Sequence, residues 1–246
     1  MNLDSIGAAN TLGSVCGAIA SAASATGVDF GYLLAQARAE SGLKPTSQSR
    51  TSSAGGLYQF IDSTWLSVLK QHGAANGLSW AANAIEWIGG KLGIRDAATR
   101  ASVLALKHDP SAAALMAGAH AIDNKAGLEA GLGRAVGSTE LYLAHFLGLG
   151  GATRFLRAMA RNPATSAAGV SPDAAHANRK VFFDQAGAAR SLAQVYQHFR
   201  EQFSDPTPTR LAPMQAAALP ISARPAALPS PDYVRAAYML LAELGE

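Results

Sequence analysis

The sequence predicts a mainly α-helical domain over residues 1–205, followed by a Pro/Ala-rich linker and a C-terminal helix over 206–246. Three observations carry that expectation. The 246 residues are 49% hydrophobic but only 7% aromatic, with Ala and Gly supplying much of the apolar share. Ala-rich chains with few β-branched runs favour helix, and no alternating strand pattern extends beyond a few residues. Finally, seven of the eleven prolines fall between Pro206 and Pro231, which reads as an extended arm rather than as core.

The elements follow in order. Residues 5–28 carry no charge and consist mostly of Ala, Ser and Gly, with Ile6, Leu12, Val15 and Ile19 as bulky aliphatics. That is too poor in large side chains for a spanning helix, and Asp4 stands where an export signal would be basic. The stretch is therefore expected to be a first, small-residue helix, without a convincing signal peptide and with no integral membrane segment; an export signal, with Ala23–Ala25 as its cleavage site, is the alternative.

Asp29 can cap a second helix, in which Phe30, Leu33, Leu34 and Ala37 repeat at helical spacing. Gly42 and Pro45 punctuate its end, which leaves Glu40 in the last turn. Asp62 is expected to cap the next helix, with Trp65, Leu66 and Leu69 facing inward. Further helices are expected over 80–92, 95–106, 111–128, 138–147, 153–159, 172–177 and 187–203. In the tail, Val234, Tyr238, Leu241 and Leu244 return to helical spacing. That last helix could pack back on the domain or dock a partner.

Composition narrows the function. Charged residues make up 15% and the net charge is +3, without the clustered Lys/Arg of a nucleic-acid binder. A lone cysteine, Cys16, excludes an internal disulfide and reads as a small buried hydrophobe. The six histidines are dispersed without metal-ligand spacing, so no metal and no cofactor are expected.

The stretch Gln36–Phe60, "QARAESGLKPTSQSRTSSAGGLYQF", invites a chemical reading. A carboxylate in the last turn of a helix faces the negative end of the macrodipole, here among Leu33, Leu34, Ala37 and Leu43. Both effects disfavour its ionised form, which suits a general acid; the alternative is an exposed helix-end glutamate. Gly55 and Gly56 allow a tight turn or a close ligand approach. Gln59 offers a donor and an acceptor, and Tyr58 and Phe60 offer flat faces.

Glu40-Ser41-Gly42, then Gly56-Leu57-Tyr58-Gln59-Phe60, then Ser63-Thr64-Trp65 resemble the signature of soluble lytic transglycosylases, enzymes of the goose-lysozyme-like superfamily. The likeness is dense from Gly27 to Leu69. Farther on, Ala144-His145-Phe146-Leu147-Gly148 keeps the frame of the family's Ala-Tyr-Asn-Ala-Gly, with His145 in place of the tyrosine and Phe146 in place of the asparagine. The segment 178–183 stands loosely for a closing family element.

The resemblance implies a lysozyme-like helical fold and cleavage of the bond between N-acetylmuramic acid and N-acetylglucosamine in peptidoglycan. It implies Glu40 as the single catalytic acid and base, and Gly56, Leu57, Tyr58, Gln59 and Phe60 as substrate contacts. Ser41 would orient Glu40, touch substrate or simply terminate the helix. Tyr142 or His145 would line the cleft or belong to the core. A hydrolytic muramidase and a non-catalytic wall-binding scaffold remain as alternatives. Substrate of this kind places the protein in the periplasm or cell envelope, or on a virion. The arm over 206–246 is expected to tether it to a secretion, flagellar or virion assembly.

Overall fold

A computed structural model describes residues 3–203, and the expected linker and terminal helix at 206–246 lie outside the described residues. The described chain is mostly helical, as its composition predicts. It opens with α1 (Leu3–Thr26) and α2 (Phe30–Ser41), joined through Gly27 at φ 73. Next come α3 (Asp62–His72) and α4 (Ser79–Ala84), a small hairpin of β1 (Glu86–Ile88) and β2 (Lys91–Gly93), and α5 (Ala97–Ala105). The long helices α6 (Pro110–Leu132) and α7 (Ser138–Arg161) follow. Three short helices, α8 (Ala167–Val170), α9 (Pro172–Ala177) and α10 (Arg179–Phe182), lead to α11 (Leu192–Phe203). No helix among the described residues is long and apolar enough to cross a membrane.

The small residues of α1 have a packing reason. This helix lies along α6, whose buried residues include the small Ala113, Ala114, Ala117, Gly118 and Ala121 beside the larger Met116 and Leu128. A Cβ at Gly118 would stand 2.7 Å from Thr26 Oγ1 on α1, so the backbones approach as closely as they do because the side chains are small. Val15, Ile19 and Ala22 are fully buried in that seam. Central α6 also packs against α3 and α7, and α11 closes over α7 and α2. Trp65 on α3 is fully buried and donates its indole N–H to Val103 O at 2.9 Å. An aromatic of that size buries about 200 Å², worth about 5 kcal/mol of transfer free energy, so Trp65 anchors α3 against α5.

Four expectations need correction. The helix expected over 80–92 stops at Ala84, and an antiparallel hairpin follows, pairing Glu86 with Gly93, Trp87 with Leu92 and Ile88 with Lys91. The cause is Gly89-Gly90, both at positive φ (57° and 80°), the dipeptide that a tight two-residue hairpin turn prefers. Asp62 is the first residue of α3 but not its cap, because its carboxylate holds Lys107 and Arg100 instead. The helices expected over 138–147 and 153–159 form one element, broken only where Gly148 adopts φ 69, ψ 158. The helix expected over 187–203 starts only at Leu192, because Gly187 turns left-handed (φ 82) and residues 184–188 close a turn through Gly187 N–H to Asp184 O. The bounds expected for α9 agree to the residue.

Candidate active site

Glu40 owes its place to the way α2 begins and ends. Asp29 caps the start by accepting from Tyr32 N at 2.8 Å. At the other end Gly42 turns left-handed (φ 59, ψ 36), Gly42 N–H reaches Arg38 O at 2.9 Å and Leu43 N–H reaches Ala37 O at 3.4 Å. These bonds fix the last turn and with it the carboxyl. Ser41 Oγ lies 2.8 Å from Leu57 O and 3.0 Å from Ala37 O, and it accepts from Lys44 N. Ser41 thus ties the end of α2 to the Gly-Leu-Tyr-Gln-Phe segment, and it does not line the cleft described below.

That segment is a tight loop pinned from beneath. Gly55 N–H bonds Phe60 O at 3.2 Å and Gly56 N–H bonds Ser47 O at 2.8 Å. Gly56 sits at φ 78 directly against the Lys107 carbonyl, where a Cβ would overlap it, so only glycine fits. Buried Lys107 donates from Nζ to Ser53 O and to Asp62 Oδ1, each at 2.7 Å, which clamps the Ser-rich loop to α3. Gln59 takes positive φ (47°), and its amide donates to Gly56 O at 2.8 Å and to Ser47 O at 3.3 Å.

Leu57 and Tyr58 are fully buried and do not reach the cleft. The loop alternates its faces, sending Leu57 and Tyr58 into the core while Gln59 and the edge of Phe60 face outward. The expectation of sugar contacts from Leu57 and Tyr58 is corrected on that ground. Gly56 contributes backbone shape rather than a contact surface.

Two side chains from α7 meet Glu40. Tyr142 donates its O–H to Glu40 Oε1 at 3.0 Å, and His145 Nε2 lies 3.2 Å from the same oxygen. They are three residues apart, so they share a helix face. Burial and the neighbouring Glu40 push the Tyr142 phenol far above its usual range, which keeps its proton available to donate. Phe203 of α11 stacks on Tyr142 with ring centroids 4.0 Å apart, and Phe199 lies across it at 5.3 Å. Glu40 keeps 19% of its side-chain surface exposed, so the carboxyl is held in a recess and not in open solvent.

Beside this recess runs a cleft of about 620 Å³. One wall is the loop and the polar stripe of α3, with Gln59, Phe60, Ser63, Thr64, Ser67 and Gln71. The opposite wall brings His120, Asp123 and Asn124 from α6 and Ala144, His145 and Gly148 from α7. His145 is the residue that both touches Glu40 and lines the cleft. Tyr142 is buried behind it.

The sequence reading did not single out the far end of this cleft. Asp123 Oδ2 pairs with His72 Nε2 at 2.7 Å and accepts from Gln71 at 3.2 Å. Desolvation, with the nearby His145, pushes the His120 imidazole below its ordinary pKa. The available signal was a polar set at helical spacing inside an Ala-rich helix, namely His120, Asp123 and Asn124. Other acids along the chain are engaged away from Glu40. Asp62 holds Lys107 and Arg100, Glu86 pairs with Arg95, and Glu140 pairs with Arg134 while accepting from Gly137 N.

A carboxyl anchored by a phenol at one oxygen, recessed beside a polar cleft, can pass a proton to a bound polyol and take one back. Residues 17–82, which carry Glu40 and the Gly56–Phe60 loop but not the α6 and α7 wall, match the family described as Transglycosylase SLT domain, in keeping with the lysozyme-like superfamily of that name.

Proposed function

We propose that this protein is a peptidoglycan lytic transglycosylase that cleaves the β-1,4 bond between N-acetylmuramic acid and N-acetylglucosamine and leaves 1,6-anhydro ends. The carrying observation is the Tyr142 hydrogen bond to Glu40 Oε1 at the cleft edge, within a chain whose residues 17–82 match the SLT domain. Among the described residues nothing bonds Glu40 Oε2, and that oxygen is the one that carries the proton in the acid form.

Glu40 Oε2–H protonates the glycosidic oxygen as the bond to the muramic C1 breaks. The carboxylate then takes the proton of the muramic 6-hydroxyl as O6 bonds to C1. The enzyme regains its proton and no water is consumed. Gln59, whose amide N–H groups are committed to the loop, presents its carbonyl oxygen to substrate hydroxyl or amide donors. Phe60, Ser63 and Thr64 continue the glycan track.

A second reading, hydrolysis by a muramidase, draws on Asp123, an acid on the cleft wall. Two-carboxylate hydrolysis needs such a group to activate water. Mass spectrometry of digested peptidoglycan separates the two readings. Anhydro ends 18 Da lighter than reducing ends support transglycosylation (a difference of about one water, by the mass balance of the two routes), and reducing ends support hydrolysis. Glu40→Gln should lower the rate by about 10² or more. Wall clearing by that variant at the wild-type rate would remove the mechanism and leave a binding scaffold.

The substrate places the site of action at the cell envelope, in the periplasm or from a virion. The tail over 206–246 is the proposed tether to a secretion, flagellar or virion assembly.

A further inference from the structure

We infer that Asn124, backed by Asp123, binds the acetamide group of an N-acetylhexosamine in the glycan strand. The inference deepens the transglycosylase reading above and rests on it. Neither residue belongs to the motifs that carry the family resemblance.

Asn124 stands on α6 with only 5% of its surface exposed, and it lines the cleft. Among the described residues no hydrogen bond reaches its side-chain amide. Two other unpartnered polar atoms, Gln36 Oε1 and Tyr58 Oη, are sealed inside the protein. Asn124 differs because it borders space that a ligand can enter. Leaving a nearly buried amide without partners costs stability, so the group needs a partner from outside the fold.

The surroundings say which partner fits. A primary amide both donates and accepts. A secondary amide on a ligand offers one carbonyl and one N–H, so the two groups pair reciprocally. Asp123 precedes Asn124 on the same helix. Its Oδ2 accepts from His72 Nε2 at 2.7 Å and from Gln71 Nε2 at 3.2 Å, and these bonds fix the carboxylate. Oδ1 takes no bond among the described residues, which leaves an acceptor for a hydroxyl of the same sugar. Val68, Ala144 and Leu149 line the same cleft and give a methyl group apolar neighbours. Carbonyl, N–H and methyl together make an acetamide. The mount is firm, since a Cβ at Gly127, one turn farther along α6, would stand 2.5 Å from Leu149 Cδ2. Polar groups held on such a packed helix lose little freedom when a ligand arrives.

The experiment measures binding of the full chain to two neutral, peptide-free probes by titration calorimetry. One is the N-acetylglucosamine tetramer. The other is cellotetraose, which carries a hydroxyl in place of each acetamide. The wild type should prefer the acetylated probe by about tenfold or more. Asn124→Leu keeps the side-chain volume and removes both polar atoms. It should lose about tenfold on the acetylated probe and little on cellotetraose. Its thermal midpoint should not fall, because no internal bond is broken. If Asn124→Leu fails to fold, Asn124→Ala carries the same comparison. Unchanged affinity of the variant for the acetylated probe overturns the inference. So does an equal loss on both probes, which marks altered cleft shape, or a large fall in midpoint, which marks an internal role. A wild type without preference between the probes overturns it as well. So does a loss confined to peptide-bearing strands, which assigns the amide to the stem peptide. The reading beneath is judged separately, on digested peptidoglycan. Full wall clearing by Glu40→Gln sinks the transglycosylase proposal, whereas the Asn124 outcomes sink only this one.

Discussion

Gly56 shows how one missing methyl shapes the acid's surroundings. Its positive φ and its contact with the Lys107 carbonyl leave no room for a side chain. Gly56→Ala should destabilise the fold by about 3 kcal/mol, combining backbone strain and overpacking. Urea unfolding monitored by tryptophan fluorescence would show it, and an unchanged midpoint would contradict the packing described. Gly56 and Glu40 were legible in the sequence because their signals are local: a helix end, a glycine pair, an amide. Tyr142 and His145 were legible only as candidates. They touch Glu40 from about a hundred positions away in the chain, and helical period says which residues share a face but not what that face meets. Tyr58 misled for a related reason. An aromatic in a polar loop reads as a sugar platform, yet tight bonding of the loop at Gly55 and Gly56 turns it inward.

Among the elements, α6 carries the most responsibility, since it supports α1, α3 and α7 and supplies the far wall of the cleft. Its start is set by Asp109, whose carboxylate accepts from Ala112 N at 2.7 Å, with Pro110 at the first position. Asp109→Ala should cost about 1 kcal/mol and Asp109→Asn almost nothing. Denaturant midpoints of the two variants give the comparison, and equal losses would argue against capping. Long helices such as α6 were readable because an Ala-rich run free of β-branched clusters persists over many turns. The hairpin at Glu86–Gly93 was not, because three-residue strands show too little alternation to outweigh the helical spacing that precedes them. Only Gly89-Gly90 marked it.

For the whole molecule, the boundary that matters lies between α11 and the Pro-rich arm. Phe199 and Phe203 of α11 pack on Tyr142, so this helix belongs to the helical body that holds Glu40 although it directly precedes the change in composition. A chain ending at Asp205 should clear isolated wall at the full rate and lose its cellular position. A chain ending before Leu192 should unfold or lose activity, because the Tyr142 ring would be stripped of its cover. Sedimentation of the shortened proteins with wall material, together with circular dichroism, tests both. Failure of the longer one to fold would make the arm part of the domain.

Phe203, the last residue of α11, rests face to face on the ring that holds the proton donor. A change at this end of the helix therefore reaches Glu40 through a single intervening ring. The far end of the described chain and the recessed carboxyl are two steps apart in space although more than 160 positions apart in sequence.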